Sequence, residues 1–215
     1  MKICCIKDRE EARLAIAAGA AALGLVSEMP SGPGVIDEAT IADIAASVPP
    51  AVSTFLLTCL PDAARIAGQV RRTRVTTVQL CDRPRPGTAG ALRQALPALK
   101  VVQVVHVTGP ESVAEAEAAA EEADAILLDS GNPAAVVKEL GGTGRRHDWA
   151  LSARIALRVP RPVFLAGGLT EGNVGEAIRT VRPWGLDVCS GVRTDGRLDA
   201  GKLARFFEAV RAASV

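Results

Sequence analysis

Aromatic residues are scarce in this chain of 215 residues, which has no tyrosine, four phenylalanines and two tryptophans. That leaves little material for aromatic platforms, so core volume must come from alanine, valine, leucine and isoleucine packed tightly between helices and strands. Histidine is scarcer still. His106 and His147 stand alone, without the cysteine or glutamate spacing of a metal site, so no metal is expected. A net charge of +1 with no basic block carries no electrostatic footprint for nucleic acid. No run approaches the roughly 18 apolar residues of a membrane span, so no membrane partner is expected. The apolar stretch within Met1–Asp8 is too short for a signal peptide. Five cysteines (Cys4, Cys5, Cys59, Cys81 and Cys189) show neither CxxC pairing nor zinc spacing, which points to reduced thiols in a cytoplasmic protein. Neither GxGxxG nor GxxxxGK[ST] occurs, so no nucleotide cofactor is expected.

What the chain does have is alternation. Short β-branched runs predict strands over 2–6, 21–26, 52–57, 75–80, 100–106, 124–128, 161–165 and 184–188. Alanine-rich, charged segments between them predict helices near 8–18, 37–47, 61–70, 88–96, 110–121, 149–157, 170–180 and 199–212. Asp37, Asp148 and Thr170 stand where helix caps belong. Eight strand–helix units in little over 200 residues suit a closed (β/α)₈ TIM barrel, with residues 1–215 as one domain. An open flavodoxin-like sheet is the second choice, since such sheets usually have fewer strands.

In a barrel, residues at the carboxyl ends of strands face a common mouth. Cys4 ends the first predicted strand and Asp129 the sixth, so a thiolate base and a carboxylic acid would meet there. A carboxylate directly after Ile126-Leu127-Leu128 is costly to bury without purpose. Asp187 ends the eighth strand and is a candidate for holding a sugar hydroxyl or orienting a neighbour. Three glycine turns follow successive strands: Gly142-Thr143-Gly144, Gly167-Gly168 and Ser190-Gly191. Such turns aim backbone N–H groups at one anion, and the loops after strands seven and eight commonly hold a substrate phosphate. A small phosphorylated molecule is the expected ligand. Met29-Pro30-Ser31-Gly32-Pro33-Gly34, rich in turn formers, is a candidate lid.

These residues, in order along nearly the whole chain, resemble the phosphoribosylanthranilate isomerase family of tryptophan biosynthesis. Lys2-Ile3-Cys4 is similar to the family's opening KIC-G, and Val78-Gln79-Leu80 to the start of VQLHG. Leu127-Leu128-Asp129-Ser130 and Gly141-Gly142-Thr143-Gly144 with Asp148-Trp149 are similar to LLDS and GGTG-x-x-x-DW. Ala166-Gly167-Gly168-Leu169 with Asn173-Val174 is similar to AGGL-x-x-x-NV, and Asp187-Val188-Cys189-Ser190-Gly191-Val192 to DVSSGVE. The resemblance implies an Amadori rearrangement of a phosphoribosylated aromatic amine from aminoaldose to aminoketose. It implies Asp129 as general acid, Cys4 as general base, the three glycine turns as phosphate site, and no cofactor or metal.

The chain also departs from that pattern. Gly32 or Pro33 stands where the family's arginine after strand two is expected, Cys81-Asp82 replaces the histidine and glycine of VQLHG, and Gln103 the lysine of strand five. Cys5 stands for the glycine after the catalytic cysteine, and Arg193 for the glutamate after SGV. The phosphosugar half of the site is kept and the aromatic-acid half rewritten, with Arg83, Arg85 or Arg193 as replacement partners for a substrate carboxylate. A paralogue isomerising another phosphosugar or N-glycoside, and a non-catalytic sugar-phosphate-binding barrel, are the alternatives. The assembly is expected to be a monomer or a homodimer.

Overall fold

A strand covered on both faces needs apolar side chains on both sides of its pleat, and the predicted strands have them. In the computed structural model, which describes residues 1–142 and 144–213, eight parallel strands close into a barrel. They are β1 (Lys2–Ile3), β2 (Ala22–Val26), β3 (Ser53–Thr58), β4 (Thr77–Leu80), β5 (Lys100–His106), β6 (Ala125–Asp129), β7 (Val163–Leu165) and β8 (Gly185–Val188). One helix follows each strand: α1 (Arg9–Ala18), α2 (Glu38–Ser47), α3 (Ala63–Thr73), α4 (Thr88–Ala95), α5 (Ser112–Glu122), α6 (Trp149–Arg158), α7 (Val174–Val181) and α8 (Ala200–Ala213). Between β8 and α8 lie a 3₁₀ turn, Ser190–Val192, and a hairpin of β9 (Arg193–Thr194) and β10 (Arg197–Leu198). Lys2 pairs with Ala22 on one side and Asp187 on the other, so the sheet has no edge. The open-sheet alternative is thereby overturned. No helix among the described residues is long and apolar enough to cross a membrane.

The pleat sorts side chains into two cores. In β5, Val101 and Val105 pack outward under the helices, whereas Val102 and Val104 point into the barrel. Phe55 and Phe164 meet edge to face inside it, with ring centroids 6.2 Å apart. Trp149 lies under the helices as part of the outer core, with the Arg146 guanidinium 3.8 Å over its ring.

Aspartates start the helices by accepting from first-turn N–H groups: Asp8 from Glu11, Asp37 from Thr40, Asp62 from Arg65 and Asp148 from Ala150. Thr170 does not cap. The seventh helix begins only at Val174, because Asn173 intervenes, accepting from the Thr170 N–H at 2.9 Å and donating to the Gly168 carbonyl at 2.9 Å.

β1 is shorter than predicted. Cys5 adopts φ +62°, a left-handed conformation that breaks the strand after Ile3, although the Cys4 N–H still donates to Val188 and the Ile6 N–H to Gly24. Arg193 holds this bend. Its Nη2 donates to the carbonyls of Cys4 (3.1 Å) and Cys5 (2.6 Å), and both terminal nitrogens donate to Glu11. Both partners are buried. Burial opposes charge on Glu11, but Arg193 and the N–H groups of Leu198 and Lys7 outweigh it and hold its pKa below the ordinary 4.5. A depressed carboxylate stabilises the fold above its unfolded pKa, and that contribution is lost as pH falls through the folded value. Urea-unfolding midpoints should therefore drop on acidification below pH 4.5, and Glu11→Gln should make that acid limb shallower.

Candidate active site

The carboxyl ends of β1, β6, β7 and β8 open into one pocket with about 650 Å³ of empty space, counting its open mouth. Of the residues singled out from the sequence, Cys4, Asp129, Gly142, Gly144, Gly167, Gly168, Asp187 and Ser190 line it. Gly191 does not. It packs behind the turn, where an added Cβ would come 2.0 Å from the Leu169 carbonyl oxygen. Thr143 lies outside the described residues.

Cys4 reaches the pocket because β2 opposes it with Gly24, where a Cβ would sit 2.8 Å from the cysteine sulfur. Below it the sequence hides a charge. Lys2 is fully buried in the barrel, its Nζ 2.7 Å from Asp187 Oδ2, 3.5 Å from Cys4 Sγ and 5.5 Å from the Phe55 ring centroid. Burial works against its proton, yet Asp187 first and Cys4 next raise its pKa, so it stays an ammonium. Asp187 Oδ1 is left without a protein partner. Sequence reasoning overlooked Lys2, although a lysine leading an otherwise apolar strand was a usable signal.

Asp129 faces Cys4's pocket from the end of β6. Its Oδ1 accepts from the Ser130 N–H at 2.7 Å. Burial pushes its pKa up, with the Ser130 N–H pulling the other way, so the neutral acid is favoured relative to a solvated aspartate. Gly141 and Gly167 leave it room, since a Cβ on either would approach a carboxylate oxygen, at 2.7 and 3.2 Å. His147 donates to or accepts from Ser152 Oγ at 2.8 Å, and burial lowers its pKa to about 4, so it is a neutral ring. His106 contacts the Cys81 carbonyl at 3.1 Å. Gln79, from β4, also lines the pocket with its Oε1 unpartnered.

The three glycine turns converge. A Cβ on Gly144 would meet Ser190 Oγ at 3.6 Å, which brings the turn after β6 against the turn after β8. Gly168 takes φ +63°, and the Arg145 backbone passes so near that a Cβ there would stand 2.7 Å from its carbonyl carbon. Gly168→Ala therefore has to move the β6–α6 loop as well as strain its own backbone, at a cost of about 1–2 kcal/mol for the left-handed conformation. The expected result is stability lowered by at least about that amount, read from urea-unfolding midpoints.

Over the opening lies the loop after β2. Ser31 Oγ donates to the Lys138 carbonyl at 2.5 Å, and Pro33 packs against Gly142. Met29, Val26, Leu57 and Leu140 make the remaining wall apolar. The arginines considered as carboxylate partners are elsewhere: Arg193 is committed to Glu11, and Arg83 and Arg85 line a separate groove with Ala89 and Glu115. Cys4 and Cys5 both line the pocket, contrary to strict strand alternation, because the left-handed turn at Cys5 brings its side chain round to the same side.

A family model described as N-(5'phosphoribosyl)anthranilate (PRA) isomerase matches residues 1–209. N-(5'-phosphoribosyl)anthranilate isomerase 2 of Methanosarcina mazei is 39% identical over 208 residues, covering 96% of this chain and 91% of that protein. The crystal structure of phosphoribosyl anthranilate isomerase from Thermus thermophilus superposes with a TM-score of 0.83 at 28% identity, covering 98% of both chains. A phosphoribosyl anthranilate isomerase solved in complex with reduced 1-(O-carboxyphenylamino)-1-deoxyribulose 5-phosphate gives 0.78 at 26% identity, covering 98% of this chain and 97% of that one.

Proposed function

From the premise that this chain belongs to the N-(5'-phosphoribosyl)anthranilate isomerase family and is an isomerase of that kind, we propose how its own residues divide the reaction. The observation that carries the reading is one pocket lined by both Cys4 and Asp129 and walled by the three glycine turns. Asp129 donates its proton to the furanose ring oxygen. The ring opens, and the amine nitrogen forms a Schiff base with the first sugar carbon. Cys4 then takes the proton from the second carbon, giving an enol that rearranges to the aminoketose. A neutral Asp129 is the form required, and burial favours that form. An ammonium 3.5 Å from Cys4 Sγ offsets negative charge on the sulfur.

The phosphate is held at the pocket-lining glycines Gly142, Gly144, Gly167 and Gly168 and at Ser190, through backbone N–H groups. Asp187 Oδ1, buried and unpartnered, accepts from a sugar hydroxyl. The apolar wall at Met29, Val26, Leu57 and Leu140 suits the aromatic ring of the amine. Five free thiols fit a reducing compartment and support a cytoplasmic location.

Turnover in deuterated water tests the acid–base route. Because the second carbon's proton leaves as the enol forms and the first carbon is reprotonated, the aminoketose should carry one deuterium on its first carbon. Product formed at full rate without solvent deuterium would exclude a proton that passes through an exchangeable group, and no consumption of N-(5'-phosphoribosyl)anthranilate would exclude the activity itself.

A further inference from the structure

We propose that Cys5 and Cys189 are a reversible disulfide site at the mouth of the pocket, closed by a hydroperoxide and reopened by a dithiol. Their sulfurs are 2.8 Å apart, within about 0.8 Å of the bonded separation of about 2.05 Å. Both residues line the pocket, so a small oxidant entering it meets them directly. Their identity is also unexpected on local grounds. Cys5 takes φ +62°, a conformation that favours glycine, and glycine is what the resembled motif has there. Cys189 stands where that motif has serine. The two departures are 184 positions apart in sequence, and the closed barrel brings them into contact by setting β1 beside β8.

The two sulfurs are unequal. The hydrogen bond it shares with Cys5, helped by the Arg193 guanidinium and opposed by burial, holds the Cys189 thiol below its ordinary range, while the same contact pushes Cys5 up. Cys189 is therefore the attacking group. Its thiolate takes the outer OH of the hydroperoxide, forming an S–O bond as the O–O bond breaks, and the alkoxide or hydroxide that leaves takes up the proton Cys189 had released, becoming an alcohol or water. Cys5 then attacks the sulfenic sulfur, the S–O bond breaks, and the departing hydroxide takes the Cys5 proton as water. Two thiols and one peroxide give one disulfide with water and the reduced peroxide. A dithiol reverses this by two exchanges.

Cys5 follows the base Cys4 directly, and Cys189 precedes the Ser190 turn. A bond between them ties the thiol end of the site to its phosphate end, and turnover falls. That consequence rests on the isomerase reading, whereas the bond itself does not.

The test treats the full chain with equimolar hydrogen peroxide, blocks remaining thiols and maps fragments by mass spectrometry. The expected result is loss of two of the five thiols, a mass about 2 Da lower, and a cross-linked fragment pair containing Cys5 and Cys189. Turnover should fall about tenfold or more and return with dithiothreitol. Cys189→Ser, and Cys5→Gly as a companion suited to the left-handed backbone, should give no cross-link and keep most of their own untreated turnover. Singly oxidised cysteines without a cross-link, or a cross-link through Cys4, overturn the proposal. A mapped cross-link with unchanged turnover overturns the coupling to catalysis. Fragment mapping needs no turnover, so failure of the isomerase reading would show separately, as an inactive reduced enzyme.

Discussion

Asp129→Asn lowers kcat by about 10²–10⁴-fold, the range a positioned general acid or base supplies, with little change in KM. The amide matches the carboxyl in shape and keeps the acceptor for the Ser130 N–H at 2.7 Å, but it has no acidic proton for the ring oxygen. Cys4→Ser falls in the same range, because a hydroxyl beside Gly24 fits the space of the sulfur yet is a far weaker base. Since acid and base serve one reaction path, the double variant should be little worse than either single one. The wild-type kcat should decline toward alkaline pH as Asp129 loses its proton, a limb set above the ordinary aspartate pKa of 3.8 and missing in Asp129→Asn. Steady-state rates with N-(5'-phosphoribosyl)anthranilate across pH decide this. A kcat within tenfold of wild type in either single variant would remove that residue from the chemistry.

Lys2→Met costs about 3–5 kcal/mol of stability, as expected when one partner of a buried ion pair is removed. Lys2 and Asp187 are 0% and 6% exposed, so deletion of the ammonium strands a carboxylate inside the barrel. Urea-unfolding midpoints should show the loss. Adding Asp187→Asn in the Lys2→Met background should recover part of it, since the stranded charge is then gone. A single variant within about 1 kcal/mol of wild type would mean that water reaches the pair and solvates it. Activity should fall as well, because the same ammonium lies beside Cys4.

Legibility varied with the range of the interactions involved. β5 was predicted over 100–106 and runs Lys100–His106, since a dense β-branched run carries its own signal. β1 was predicted to residue 6 and stops at Ile3. Nothing in Cys4-Cys5-Ile6 signals a left-handed cysteine, whose conformation is held from afar by Arg193 on its carbonyl. Thr170 has the right chemistry for a cap, but Asn173 sits closer to the helix and ties back to Gly168. The glycine turns were legible as turns, and their meeting at Gly144 and Ser190 was not. Arg193, considered as a substrate partner, is spent on Glu11, a contact spanning 182 positions.

By itself the sequence determined the repeat of strand and helix and the family, because periodicity and motif spacing are local properties of the chain. The tertiary structure alone decided which side chains share the pocket, that Lys2 lies buried beneath Cys4, and that Cys5 touches Cys189. Those depend on β1 closing against β8, a pairing that brings together the two ends of the chain and leaves no trace in the residues of either end read alone.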